Sequence, residues 1–142
     1  MTRVAAIDTN VVAAGLMTAR QDSPTARILD GMLTAAFPFA LSEALLAEYR
    51  EVLNRPALCK RHGLSSDEID SLLATLAEHA IVLEPVKGSA APDSGDQHLW
   101  DLLASHGDLC LVTGDRVLLE SRNAPAPLLA PATFAAELFG CG

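Results

Sequence analysis

Short runs of consecutive apolar residues alternate along this chain with longer stretches whose apolar positions recur every three or four residues. The runs predict buried strands and the longer stretches predict amphipathic helices. Val4-Ala5-Ala6-Ile7 is the first strand, Phe39-Ala40-Leu41 the second, Ile81-Val82-Leu83 the third and Leu109-Cys110-Leu111-Val112 the fourth, with Leu128-Leu129 as a candidate fifth. Helical sequence follows the first strand and breaks near Asp22-Ser23-Pro24, where Ser23 can cap and Pro24 can open the next helix. That helix covers 25–36 and carries Ile28, Leu29, Met32 and Leu33 at helical spacing. Ser42 is an N-cap candidate for a helix to about residue 53, stopped by Asn54-Arg55-Pro56. Ser65 and Glu68 form a capping box that opens a helix through residue 77. A small-residue loop over 87–95 leads to a helix from about 96 to 105, with Gly107 past its end. A last helix covers about 133–138.

Strands that alternate with helices imply right-handed crossovers and a parallel sheet covered on both faces, an α/β fold. In such folds ligands bind at the carboxyl ends of strands. The length, 142 residues, suits one domain over 1–142. Half the residues are hydrophobic, enough for a real core and against disorder. No apolar run approaches the roughly 20 residues needed to cross a bilayer, and the strand beginning at Val4 leaves no room for a signal peptide. The expectation is a soluble, cytoplasmic protein without a membrane partner.

The 3 cysteines, Cys59, Cys110 and Cys141, show no paired spacing, which argues against a disulfide framework or a zinc site. His62, His79, His98 and His106 share no metal-ligand spacing and read as surface or helix-end residues. The formal net charge of -8 runs against an easy grip on phosphate, but acids gathered at a site contribute to it, and an acidic surface attracts a basic partner.

Four acids stand out by position. Asp8 and Asp115 follow the first and fourth strands, in Asp8-Thr9-Asn10 and Val112-Thr113-Gly114-Asp115. Glu48 lies on the apolar stripe of Leu45, Tyr49, Val52 and Leu53, where a carboxylate needs a partner or a route to water. Asp96 precedes Leu99 and Trp100 on the apolar side of its helix. Each has a plainer alternative: helix caps for Asp8 and Asp96, a boundary position for Glu48, an ordinary turn for Asp115. Asp93 is either a supporting acid or the true cap of the helix after it. Four converging carboxylates repel one another unless a cation sits among them, and a carboxylate-only site suits a divalent metal and phosphate chemistry.

Taken in order, Asp8-Thr9-Asn10, Ser42 with Glu48, Asp93 to Asp96 with Leu99, and Val112-Thr113-Gly114-Asp115 resemble the PIN domain family, in particular its bacterial VapC-like toxin branch. The likeness extends to Leu128-Leu129, Pro131, Phe134 and Leu138. It implies a three-layer α/β/α sandwich with a mainly parallel central sheet and a ribonuclease site that uses Mg²⁺ or Mn²⁺. Asp8, Glu48, Asp96 and Asp115 match the acidic quartet, with Asp8, Asp96 and Asp115 on the metal and Glu48 closing the site directly or through water. Asn10, Ser42 and Thr113 match supporting polar positions. One departure is Asp93-Ser94-Gly95-Asp96, where relatives often read Asp-Pro-Asp-Asp.

The resemblance also implies an RNA substrate, a small antitoxin with a basic tail, and a homodimer. Candidate RNA contacts are Arg116, beside the site, and the stretch Arg55, Lys60, Arg61 and His62, for which a solvated loop is the favoured alternative. Three rivals remain. A receiver-like phosphotransfer domain wants paired acids after the first strand and a late Lys, and a haloacid-dehalogenase-like phosphatase wants a second Asp where Asn10 stands. The third is a PIN-like module that binds RNA or protein without catalysis.

Overall fold

Ala5, Ala6 and Ile7 are all fully buried, so the first strand has both faces covered, as a central strand of a parallel sheet must. A computed structural model of the protein describes residues 3–140; Met1 and Thr2, which precede the first strand, and Cys141 lie outside it. Five strands, β1 (Val4–Ile7), β2 (Phe39–Leu41), β3 (Ile81–Val82), β4 (Leu109–Val112) and β5 (Leu128–Leu129), form one sheet in the order β3-β2-β1-β4-β5. Every pairing is parallel. Val4 stands beside Leu109 and Ile7 beside Val112, and the Asp8 amide extends that ladder to the Val112 carbonyl at 2.9 Å. β3 is one edge of the sheet, and its Ile81 and Val82 are exposed rather than buried.

Eight α-helices connect and cover the strands among the described residues: α1 (Thr9–Met17), α2 (Pro24–Leu33), α3 (Glu43–Leu53), α4 (Pro56–His62), α5 (Ser66–His79), α6 (Gln97–Leu103), α7 (Arg116–Leu119) and α8 (Pro131–Phe139). α1, α2, α3 and α5 pack on one another, α6 packs on β4 and α3, and α8 packs on α2, giving the α/β/α sandwich. The core runs from β1 through Phe39 and Leu41 to Tyr49, Leu73, Trp100, Leu111 and Phe134. The caps behave as their residues dictate. Ser23 accepts from the Ala26 amide with Pro24 at the first helical position, and Ser65 and Glu68 close the capping box.

One local expectation needs correction. Asn54-Arg55-Pro56 does stop α3, but Pro56 then opens α4, so the basic stretch from Arg55 to His62 is mostly helix rather than loop. Proline supplies the reason: it cannot continue a helix yet suits the first turn of a new one. Arg116 begins the short helix α7.

The strand order bears on function. The chain steps outward from β1 through β2 to β3, then crosses to β4 on the far side of β1. The reversal opens a crevice at the carboxyl ends of β1 and β4, the usual location of a ligand site in such sheets. It also excludes the receiver-like reading, whose sheets run 2-1-3-4-5.

Candidate active site

Asp8 and the Thr113–Asp115 segment leave the sheet side by side at that crevice. The Asp8 carboxylate is almost completely buried, and Thr113 Oγ1 donates to its Oδ2 at 2.7 Å. Asn10 Nδ2 donates to the same oxygen at 3.2 Å, while Asn10 Oδ1 accepts from the Gly114 amide at 3.3 Å. Asn10 thereby bridges the ends of β1 and β4. Asp8 holds the N-cap position of α1 but makes no capping hydrogen bond, so its side chain is free for the site. Burial pushes its carboxyl up to about 6, and the charges of Asp96 and Glu48 push the same way against the Thr113 hydrogen bond.

Glu48 arrives from the middle of α3. That helix is pinned at its start by Ser42, whose buried hydroxyl accepts from the Leu45 amide, and at its centre by Tyr49, whose hydroxyl donates to the Ile7 carbonyl. Ser42 therefore serves as a helix cap. Tyr49 is fully buried, and its phenol is pushed well above the ordinary range by burial and by the charges of Asp8 and Glu48. Pinning Tyr49 to β1 fixes its neighbour Glu48 near the same strand end. The Glu48 carboxylate accepts from the Thr9 hydroxyl and from His98 Nε2, the latter at 3.1 Å.

Asp96 ends a 3-10 turn (Ser94–Asp96) and directly precedes α6. Asp93, exposed, caps that turn by accepting from the Gly95 amide at 2.9 Å, whereas Asp96 makes no capping bond. The cap and the candidate ligand are thus two different acids. Partial burial raises the Asp96 carboxyl, followed by the charges of Asp93, Asp115 and Glu48, while His98 lowers it. Asp115 does serve as a cap: its Oδ1 accepts from the Val117 amide at 2.9 Å, and its own amide donates to Thr113 Oγ1 at 3.0 Å.

Asp8 lies within electrostatic reach of Glu48 and Asp96, Asp96 lies within reach of Glu48 and Asp115, and Asn10 and Thr113 are direct partners of Asp8. Two further residues enter that the sequence reading set aside or passed over, His98 and Thr9, both hydrogen-bonded to Glu48. His98 is at a helix end, in the first turn of α6, but its side chain is only 20% exposed. Among the basic candidates, Arg116 is exposed and adjoins Asp115. Arg55 is paired with Glu51 at 3.2 Å, and Lys60 and Arg61 sit exposed in the last turn of α4.

A set of carboxylate oxygens suits a hard divalent cation such as Mg²⁺ or Mn²⁺, and the carboxyls of Asp8 and Asp96, raised first by burial and then by neighbouring acids, would be relieved by such an ion. Among the described residues, no three His, Cys, Asp or Glu side chains are already gathered at metal-holding distances. Mg²⁺ retains several waters and uses only one or two carboxylates directly, so a wider spacing still fits it.

No helix among the described residues is long and apolar enough to cross a membrane. No curated protein matches the chain. The PIN domain family model matches residues 4–117, from the first residue of β1 into α7 and across all four acids. The chain belongs to the PIN domain family, whose members are typically nucleases that use divalent metal ions.

Proposed function

We propose that this protein is a Mg²⁺- or Mn²⁺-dependent endoribonuclease of the VapC-like kind, the toxin of a toxin–antitoxin pair. The observation that carries the reading is Asp8. A buried carboxyl pushed up to about 6 and repelled by two neighbouring acids is a poor structural element, but a good half-built cation site at the sheet reversal. Asp8, Asp96 and Asp115 would hold the cation, and Glu48 would close the site. When bound, the ion offsets charge on the phosphate and lowers the pKa of a water.

The protein's own groups do the rest. Thr113 and Asn10 orient Asp8, Thr9 and His98 orient Glu48, and Arg116 stands next to Asp115 for a backbone phosphate. The net charge of -8 leaves RNA attraction weak without metal and favours a small antitoxin whose basic tail covers the acids. A homodimer belongs to the same proposal.

The test is cleavage of labelled RNA by purified protein with Mg²⁺, with Mn²⁺ or with EDTA, beside Asp115→Asn. Cutting that needs metal and disappears in the variant is the expected result. A folded wild type that cuts nothing with either metal overturns the reading in favour of a non-catalytic PIN-like module. That second reading has one observation on its side, the absence of three ligands already at metal-holding distances among the described residues.

A further inference from the structure

Both oxygens of the Glu48 carboxylate are engaged. The Thr9 hydroxyl donates to Oε1, and His98 Nε2 donates to Oε2 at 3.1 Å. Thr9 opens α1 directly after Asp8, and His98 lies in the first turn of α6, two residues after Asp96. These two bonds therefore tie the middle of α3 to the starts of the two helices that follow Asp8 and Asp96. They do so where like charges would otherwise turn the carboxylates away from one another.

The imidazole is committed to this one contact. Among the described residues, His98 Nδ1 is buried with no hydrogen-bond partner, so nothing there on that side competes for the ring proton. Glu48 alone then selects the tautomer that carries the proton on Nε2. A buried nitrogen without a partner costs stability, so packing alone does not favour a histidine here. Glu48, for its part, keeps a second lone pair on each oxygen for a cation or the water around it.

We propose that His98 is a positioning residue of the acidic site: together with Thr9 it holds Glu48 in one orientation beside Asp8 and Asp96, and so raises the affinity of the site for a divalent cation. The proposal rests on the nuclease reading for the identity of the cation class. Its test reads binding rather than cleavage, so the two can fail separately. Mn²⁺ binding to the RNA-free protein is measured by calorimetry for wild type, His98→Ala, His98→Gln, Glu48→Gln and the Glu48→Gln/His98→Ala double variant.

His98→Ala is expected to weaken Mn²⁺ binding roughly tenfold, in the range found for groups that orient metal ligands. His98→Gln, whose amide can still donate to Glu48, recovers most of that loss. In the double variant the His98 change costs nothing beyond Glu48→Gln. Additive losses, or unchanged binding in His98→Ala, overturn the proposal. Should His98→Ala fail to fold, His98→Leu takes its place against His98→Gln, and equal affinities there overturn it as well. Wild type that binds no Mn²⁺ overturns this proposal together with the metal-dependent reading. The expected Mn²⁺ pattern in a protein that cuts no RNA keeps His98 in its role and removes the nuclease alone.

Discussion

Thr113 Oγ1 donates to Asp8 Oδ2 across the ends of β4 and β1, and accepts from the Asp115 amide in the same geometry. One hydroxyl thus supports a buried carboxylate and shapes the turn that presents a second one. Replacing Thr113 by Val keeps the volume but removes both bonds, leaving the Asp8 oxygen and the Asp115 amide short of a partner. The expected cost is about 2 kcal/mol of stability at neutral pH, typical of a lost hydrogen bond to a charged group. Metal-dependent cleavage should fall with it, and Thr113→Ser should retain most of both. Thermal melts and RNA cleavage of the two variants check this.

Asp8 itself is stabilising only when protonated. Its carboxyl titrates near 3.8 in the unfolded chain and at about 6 in the folded one, so folding takes up a proton between those values. The contribution is fully present below about 3.8 and is lost as pH rises through about 6. The shift corresponds to roughly 3 kcal/mol. Asp8→Asn removes the charge and leaves an oxygen for the Thr113 hydroxyl. In EDTA it should melt several degrees above wild type at pH 7.5, with the gap closing towards pH 4. Mn²⁺ should stabilise wild type and not the variant. A variant that melts below wild type at pH 7.5 would count against burial as the cause of the Asp8 shift.

Much of this was legible in the residues because the signals are local. Apolar runs ending in Asp8 and before Asp115 mark strand ends, and the stripe through Leu45, Tyr49 and Val52 turns Glu48 inward. Whether an acid caps a helix or faces a ligand was not legible, because Asp93, Asp96 and Asp115 suit a cap equally well by type. Only geometry separates the two that cap, Asp93 and Asp115, from Asp96, which does not. Thr9 and His98 stayed hidden for another reason. Their partner Glu48 lies 39 and 50 residues away along the chain, and no periodicity within one helix encodes such a pairing. Alternation of strands and helices implied a parallel sheet, but the reversal that sets β4 beside β1 is a property of the assembled layers. Pro56 was ambiguous because the same ring that ends one helix can begin the next.

Gly15 holds α1 close to α2. A Cβ at that position would lie 2.5 Å from the Thr25 carbonyl oxygen and 3.1 Å from Leu29 Cβ. Alanine in place of an interior helical glycine ordinarily gains about 1 kcal/mol. Here the clash is with backbone, which cannot swing aside, and overpacking costs about 1–3 kcal/mol. The steric effect should win, so Gly15→Ala should lower the melting temperature. Because α1 starts at Thr9, pushing the helix away should also loosen the Thr9 contact to Glu48 and weaken cleavage. A melting temperature at or above wild type would mean that the two helices part without cost.

Asp115 has two functions that substitution can separate. Its side chain caps α7 through the Val117 amide, and its charge helps raise the Asp96 carboxyl. Asparagine is as good a cap as aspartate, so Asp115→Asn should keep the helix start and the melting temperature close to wild type while removing the charge. Asp115→Ala removes both, and should lose about 1 kcal/mol of stability in addition. If Asp115 supplies a cation ligand, the two variants lose metal-dependent cleavage to the same extent although only one is destabilised. If instead it matters only as a cap, Asp115→Asn stays active and Asp115→Ala does not. Activity and melting curves measured on the same two preparations decide between a ligand and a cap, because the two properties part company in one variant and fall together in the other.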